Sequence, residues 1–136
     1  MEAGLPLWGH ELDETITPVE AGLSFAISKK RRDMADFPGA KRINDQLKSG
    51  PKRRLVGLST SGARPVRDGV ILHCNARSVG SITSGGFAPS LERPAALGFV
   101  EAEFATPGTS LLATTRGAPT PVAVSDLPFV QHQYFR

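Results

Sequence analysis

The sequence predicts an α+β fold in two parts: short helices and one strand over residues 1–50, then an all-β domain over residues 51–136. Three observations support this prediction. The chain has 14 Gly and 11 Pro among 136 residues, a turn-rich composition that favours short strands over long helices. The best helical periodicity lies before residue 50, and short apolar runs separated by turn residues follow it. The hydrophobic fraction of 40% and the charged fraction of 21% are those of an ordinary globular protein.

The first part contains a capped turn, a strand and a helix. Residues 17–20 have the Thr-Pro-x-Glu spacing of a capping box, which predicts a short helical turn stopped by Gly22. Residues 23–28 are predicted to form a strand, because apolar side chains alternate there. Residues 36–50 predict a helix that ends at a Gly-Pro pair, with one apolar face made of Ala40, Ile43 and Leu47.

The second part is a series of short apolar runs bounded by turn residues. Asp68-Gly69 and Pro107-Gly108 are strong turn signals. Five or six strands at intervals of roughly 10 to 15 residues predict a sandwich or a small closed barrel, and closure would hide the strand edges. The predicted strands are 53–60, 70–75, 78–91, 95–104, 109–115 and 120–130.

Charge and hydropathy limit the partners. The net charge of +3 comes mostly from two basic runs, residues 29–32 and 52–54, which we interpret as solvated surface. A polyanion is the alternative partner, but nucleic-acid binders add interleaved aromatic residues or a helical basic stripe. We therefore expect no nucleic-acid partner. No apolar run reaches the length of about 18 residues that a membrane span needs, so we expect no membrane partner.

The residue types give little self-contained chemistry. A single cysteine, Cys74, excludes an intramolecular disulfide and a cysteine zinc site, and we expect it to be a small core residue. The three histidines lie far apart and lack metal-ligand spacing, so we expect no metal. Ser84-Gly85-Gly86 follows a strand but opens no helix, which favours a tight backbone approach over a phosphate cradle.

An acidic cluster near the start, Glu11, Asp13 and Glu14, raises the possibility of acid–base chemistry. The cluster directly precedes the capped turn. We expect these carboxylates to favour the N-terminal end of that turn or to face solvent.

A longer order of motifs resembles a known family. The strings are "EAGLPLWGHELDETITPVEAGLSFAI", "DFPGA", "GPKRRLVGL", "PVRDG", "VGSITSGGFAPSL", "PAALGFV", "PGTSLL" and "LPFV". In this order and with these gaps they resemble the C-terminal part of the glycine cleavage system T protein, a tetrahydrofolate-dependent aminomethyltransferase. The resemblance covers essentially the whole chain. Two departures keep an aromatic ring: Trp8 stands where the family usually has Tyr, and Phe25 where it often has Trp.

The resemblance implies a reaction, two partners and a compartment. A lipoyl-carrying H protein brings an aminomethyl group on sulfur. The amine of tetrahydrofolate, the co-substrate, attacks the methylene carbon, and ammonia leaves. The resemblance also implies that residues 1–50 are the remnant of a central folate-binding region and that residues 51–136 are a Greek-key-like C-terminal barrel. The implied location is the bacterial cytoplasm or the mitochondrial matrix.

The resemblance points to three folate-binding positions and to no catalytic one. Trp8 and Phe25 match aromatic positions of the family's central region, where a ring can wall the folate pocket; the alternative is core packing between domains. Arg136 ends a tail that in the family folds back and can place a basic side chain near folate; the alternative is a frayed terminus. The family's catalytic Asp has no matching position here. We therefore expect a fragment that begins inside a parent sequence and is inactive alone.

Two alternatives remain open at this stage. One is a stand-alone β-barrel module for binding or assembly, with the basic runs as its electrostatic footprint. The other is the folate-binding C-terminal region of a sarcosine or dimethylglycine dehydrogenase, which resembles the T protein.

Overall fold

A computed structural model of the chain describes residues 1–60, 62–114 and 119–131. Two helices, α1 (Lys29–Met34) and α2 (Ala40–Ser49), precede six strands that close into an antiparallel barrel. The strands are β1 (Arg53–Thr60), β2 (Ile71–Cys74), β3 (Arg77–Ala88), β4 (Arg93–Glu101), β5 (Ser110–Thr114) and β6 (Pro119–Ser125). The predicted fold class, a short helical part followed by an all-β barrel, is confirmed.

The barrel has Greek-key connectivity. Its strand order is β1-β4-β3-β2-β5-β6, so three hairpin-connected strands (β2, β3, β4) lie beside β1, which the chain reaches before them. Pairing of β1 with β6, from Gly57 opposite Ser125 to Thr60 opposite Val122, closes the barrel. Closure leaves no strand edge among these six strands unpaired.

Side-chain alternation along the strands fills the barrel. In β5 the pattern is strict, with Leu111 and Ala113 buried between exposed neighbours. β4 differs, because Pro94 to Val100 are all buried and both of its faces are therefore covered. The core cluster contains Val56, Leu58, Val66, Leu72, Val79, Ile82, Ala96, Val100, Leu111, Ala113, Val122 and Val124.

Helix α2 forms where its pattern predicts. Ala40 and Ile43 are buried, Leu47 is half-buried, and Gly50 with φ of 82° lets the chain leave the helix. Helix α1 was not predicted. It begins after Ser28, whose hydroxyl accepts the Arg31 N–H at 3.4 Å, so the first basic run is helical.

The strand predicted over residues 23–28 is wrong. Ser24–Ala26 forms a 3-10 turn, and Phe25 points outward. Alternation alone makes no strand without a pairing partner, and the closed barrel offers none. The capping box predicted before this segment is formed, because the Thr17 N–H donates to Glu20 Oε2 at 2.9 Å and the Glu20 N–H donates to Thr17 Oγ1 at 3.2 Å.

Candidate functional site

Large apolar side chains stand in solvent along the N-terminal segment. Phe25 is 80% exposed and Trp8 is 67% exposed, although aromatic residues of this size are normally well buried. Leu5 and Leu7 are also exposed. Apolar surface concentrated in this way marks a contact surface for a ligand or for another part of a protein.

Phe25 borders an apolar cavity of about 540 Å³. This volume falls within the range of about 300–1,000 Å³ that is typical of small-molecule sites. Within the described part of the chain, no charged residue lines it. The lining residues are Ala3, Gly4, Leu5, Ala21, Gly22, Leu23, Phe25, Leu55, Leu127 and Pro128.

Close packing between the two ends of the described chain holds the cavity wall. Gly4 has φ of 64°, and a Cβ there would lie 3.1 Å from the Leu127 side chain. The Leu127–Pro128 peptide bond is cis. Glu2 joins the two ends, since its backbone oxygen accepts the Val130 N–H at 3.2 Å and its carboxylate accepts the Ser90 N–H at 2.8 Å. The wall therefore combines segments that are distant in sequence.

Trp8 lies in a separate loop and does not line this cavity. The loop is tightly closed, because the Leu7 carbonyl accepts the N–H groups of His10, Glu11 and Leu12 at 3.0 to 3.2 Å. Gly9 donates to the Leu12 carbonyl at 2.8 Å. The structure thus places Phe25 at the cavity and Trp8 on a different exposed loop.

Glu11 is the residue that sequence reasoning placed wrongly. It is 1% exposed rather than solvent-facing. Its carboxylate accepts the Leu7 N–H at 3.0 Å and the Ser84 hydroxyl at 2.5 Å, which binds the Trp8 loop to strand β3. Burial raises the pKa of Glu11, but the hydrogen bonds from Ser84 and Leu7, together with the nearby Thr83 hydroxyl, outweigh burial, so the pKa lies below its usual value of 4.5. No local sequence signal pairs Glu11 with Ser84.

The other two acids of the cluster do not form a catalytic pair with Glu11. Asp13 accepts hydrogen bonds from the hydroxyl and the N–H of Thr15 and from the Ile16 N–H. The Thr15 hydroxyl is the main cause that lowers the pKa of Asp13. Glu14 is exposed. For Asp13 and Glu14, the expected local or solvent-facing role is confirmed.

Glu20 is a second buried carboxylate, and it joins the capped turn to α2 and β1. Arg42 Nη2 lies 3.3 Å and Arg53 Nε lies 3.6 Å from Glu20 Oε1, and Gln46 donates to the same oxygen at 3.3 Å. The Glu20 backbone oxygen accepts the Leu55 N–H at 2.9 Å. These bonds orient the segment that leads into Phe25.

Two further sequence interpretations are confirmed. A Cβ at Gly85 would clash with the Val66 carbonyl oxygen, so Ser84-Gly85-Gly86 is a close backbone approach. Cys74 packs against the core cluster.

Arg136 lies outside the described residues. Among the residues that are described, no three His, Cys, Asp or Glu side chains are placed to hold a metal ion. In the same part of the chain, no helix has the length and apolar character to cross a membrane.

Comparisons with known proteins agree with one another. Residues 53–131 match the family described as the glycine cleavage T-protein C-terminal barrel domain. The chain is 44% identical over 135 residues to the human protein named aminomethyltransferase, mitochondrial, covering 99% of this chain and 34% of that protein. It is 40% identical over 136 residues to the potato (Solanum tuberosum) protein of the same name, covering 100% of this chain and 34% of that protein.

A solved structure gives the same result for the fold. The crystal structure of glycine cleavage system aminomethyltransferase T from Bartonella henselae superposes with a TM-score of 0.93 at 39% identity, covering 99% of this chain and 38% of that chain. The chain therefore spans about a third of the length of the curated relatives it matches.

Proposed function

Because this chain belongs to the glycine cleavage T-protein family, we propose that it is the C-terminal part of an aminomethyltransferase. In the proposed reaction of the intact protein, the methylene of an aminomethyl group passes from the lipoyl sulfur of an H protein to tetrahydrofolate, and ammonia is released. The observation that carries this proposal is the match over 99% of the chain to relatives bearing that name.

The contribution of this chain is one wall of the folate site. Phe25 offers an exposed ring at the mouth of an uncharged cavity, which suits an aromatic ligand that must leave water. Trp8 offers a second exposed ring on a loop tied down by Glu11. Arg136 completes the proposed set with a cation for a carboxylate or a polar ring edge.

The chain divides into two parts at residue 50. Residues 1–50 are the remnant of a central folate-binding region, and residues 51–136 are the C-terminal barrel domain. Buried Glu11 and Glu20 connect the two parts, because each accepts bonds from its own segment and from the barrel or its first strand. The remnant is therefore held in a defined position on the barrel.

We infer from the family resemblance that the catalytic residues belong to the part of the parent protein that this chain does not span. We propose that the chain alone performs no transfer and that the H protein and tetrahydrofolate engage the intact protein. The eukaryotic relatives are mitochondrial by name. We place the parent protein in the mitochondrial matrix, or in the cytoplasm if it is bacterial.

Two other functions are less well supported. A stand-alone binding module does not explain a match that continues through residues 1–50 as well as the barrel. A sarcosine or dimethylglycine dehydrogenase origin is disfavoured, because relatives that match 99% or more of the chain are named aminomethyltransferases.

The test replaces Phe25 with Ala in the full-length protein that carries this sequence. In the isolated chain, where Phe25 is 80% exposed, the same substitution should change stability by less than about 0.5 kcal/mol. Loss of a ring contact worth about 1.4 kcal/mol should raise the KM for tetrahydrofolate about tenfold. Phe87, 57% exposed on β3, provides the matched control Phe87→Ala, which should leave this KM unchanged.

Steady-state formation of methylenetetrahydrofolate, with an aminomethyl-loaded H protein as donor, measures both variants. An unchanged KM in Phe25→Ala, or an equal rise in Phe87→Ala, would contradict the role of Phe25. Absence of any transfer by the full-length wild-type protein would contradict the proposed function itself.

A further inference from the structure

Charge is segregated along this chain. Residues 29–54 carry ten Lys and Arg against three Asp, whereas the rest of the chain carries six Lys and Arg against ten Asp and Glu. This basic segment folds into α1, α2 and the start of β1. The excess positive charge is thus concentrated on one region of the surface rather than spread over the molecule.

Several cations of this segment are already paired. Arg31 binds Asp36 at 2.7 Å, Lys41 binds Asp45 at 2.8 Å, and Arg42 binds Glu20 at 3.3 Å. Within residues 1–60, 62–114 and 119–131, no ion pair forms to Lys29, Lys30, Arg32 or Lys48. The uncompensated charge therefore includes α1 and the end of α2, together with Lys52 and Arg54, which also form no ion pair among the described residues.

Three of the unpaired cations on α1 and α2 line one cavity. Lys29, Arg32 and Lys48 border a space of about 570 Å³, together with Asp33, Asn44 and Leu47. The Asn44 side-chain amide donates to the Arg32 carbonyl at 3.1 Å and so joins α2 to α1 across the cavity. Because this bond holds α2 against α1, the cationic side chains of the two helices border one cavity of defined shape.

Arg32 adds an unsatisfied donor. Its Nε atom is buried and has no hydrogen-bond partner among the described residues. Because Nε is shielded from solvent, an anion in the cavity would contact Arg32 through its terminal Nη atoms. A guanidinium donates in a fixed fork that matches the oxygens of a carboxylate or a phosphate.

We propose that the cavity between α1 and α2 binds a small anion that carries two or more carboxylate or phosphate groups. Arg32 holds one group through its fork, and Lys29 and Lys48 supply two further positive charges against the single acid Asp33. The volume falls within the range of small-molecule sites, and among the described residues no aromatic side chain lines the cavity for stacking on a nucleobase. This site is distinct from the apolar cavity at Phe25 and does not depend on the proposed function.

The experiment titrates the ¹⁵N-labelled chain with pyrophosphate and, separately, with citrate at constant ionic strength. Both the Arg32 Nε–H and the Asn44 side-chain amide give resolvable signals in an amide correlation spectrum. We expect saturable shifts of these two signals with one-to-one stoichiometry, and the probe that binds more tightly identifies phosphate or carboxylate as the preferred group. Added salt should weaken the binding, because the contacts are ionic.

The variant Lys29→Gln/Arg32→Gln/Lys48→Gln should weaken binding by about tenfold or more. The control Arg64→Gln/Arg67→Gln/Arg93→Gln removes the same charge from exposed positions outside the two helices and should leave binding unchanged. Arg32→Lys keeps the charge but removes the fork and Nε, and it provides a second test if the triple variant folds poorly. Absence of saturable shifts with both probes at millimolar concentration would overturn the proposal, as would equal weakening in the control.

Discussion

Replacement of Glu11 with Ala should destabilise the chain strongly, although Glu11 belongs to a loop. The substitution removes a carboxylate that is 1% exposed and accepts two hydrogen bonds, from the Leu7 N–H at 3.0 Å and the Ser84 hydroxyl at 2.5 Å. Hydrogen bonds to a charged group contribute about 1.5–3 kcal/mol each. Leu7 and Ser84 are partly accessible, so water recovers some of this energy. We expect a loss of about 3 kcal/mol, which for a chain of this size lowers Tm by about 10 °C.

Two signals measure this change in one thermal unfolding experiment. Far-UV circular dichroism follows the barrel, and the fluorescence of Trp8, the only tryptophan, follows the loop that Glu11 holds. We expect a lower Tm in both signals for Glu11→Ala. Trp8 should also become more accessible to acrylamide at 25 °C, because its loop is no longer bound to β3.

The same reasoning predicts a dependence on pH. The pKa of Glu11 is lowered in the folded chain, so its ionised form stabilises the fold at pH above its unfolded value of 4.5. This contribution is lost as the pH falls through the lower, folded pKa. The difference in stability between wild type and Glu11→Ala should therefore be constant from pH 6 upward and shrink below pH 4.5.

Glu14→Ala is the matched control, because Glu14 is an exposed carboxylate three residues away. Its unfolding free energy should stay within about 0.5 kcal/mol of wild type. An equal loss in both variants would show that the loop responds to net charge rather than to the buried contacts of Glu11. A Glu11→Ala variant as stable as wild type would refute the reasoning.

Other predictions concern the barrel, the second buried carboxylate and the isolated chain. Gly85→Ala should lower the free energy of unfolding by about 2 kcal/mol or more in urea, because the added Cβ would clash with the Val66 carbonyl. The control Gly62→Ala should have little effect, since no atom lies within 4 Å of a Cβ there. Similar losses in the two variants would contradict the clash at Gly85. Glu20→Ala should lower the free energy of unfolding by about 2 kcal/mol in the same measurement, since it breaks the capping box and leaves Arg42 without its partner. An unchanged free energy of unfolding would mean that solvent replaces those bonds. The isolated chain should form no methylenetetrahydrofolate from a loaded H protein, and measurable turnover would show that it contains catalytic groups.

The barrel could be predicted from the sequence because its signals are local. Alternation in β5 places Leu111 and Ala113 inside, and this pattern is visible without any neighbouring strand. The capping box at Thr17 and Glu20 spans three residues, so its spacing alone predicts the reciprocal bonds that the structure shows. Strand order was not a local property and came from the resemblance rather than from periodicity.

Residues 23–28 show that a local pattern does not by itself determine secondary structure. Their alternation is typical of a strand, but a strand needs a partner for its backbone N–H and C=O groups. The pairing of β1 with β6 closes the sheet, so the segment forms a 3-10 turn instead and presents Phe25 to solvent. The exposed ring, and with it the candidate site, is a consequence of barrel closure.

By itself the sequence determined the turn-rich composition, a series of five or six short strands, helix α2, the capped turn and the family resemblance. Only the tertiary structure decided the burial of Glu11, because its partner Ser84 lies 73 residues away in the chain. It also decided that Lys48 of α2 borders one cavity with Lys29 and Arg32 of α1. The reason is physical: periodicity and capping act over a few residues, whereas burial of charge depends on segments that meet only after folding.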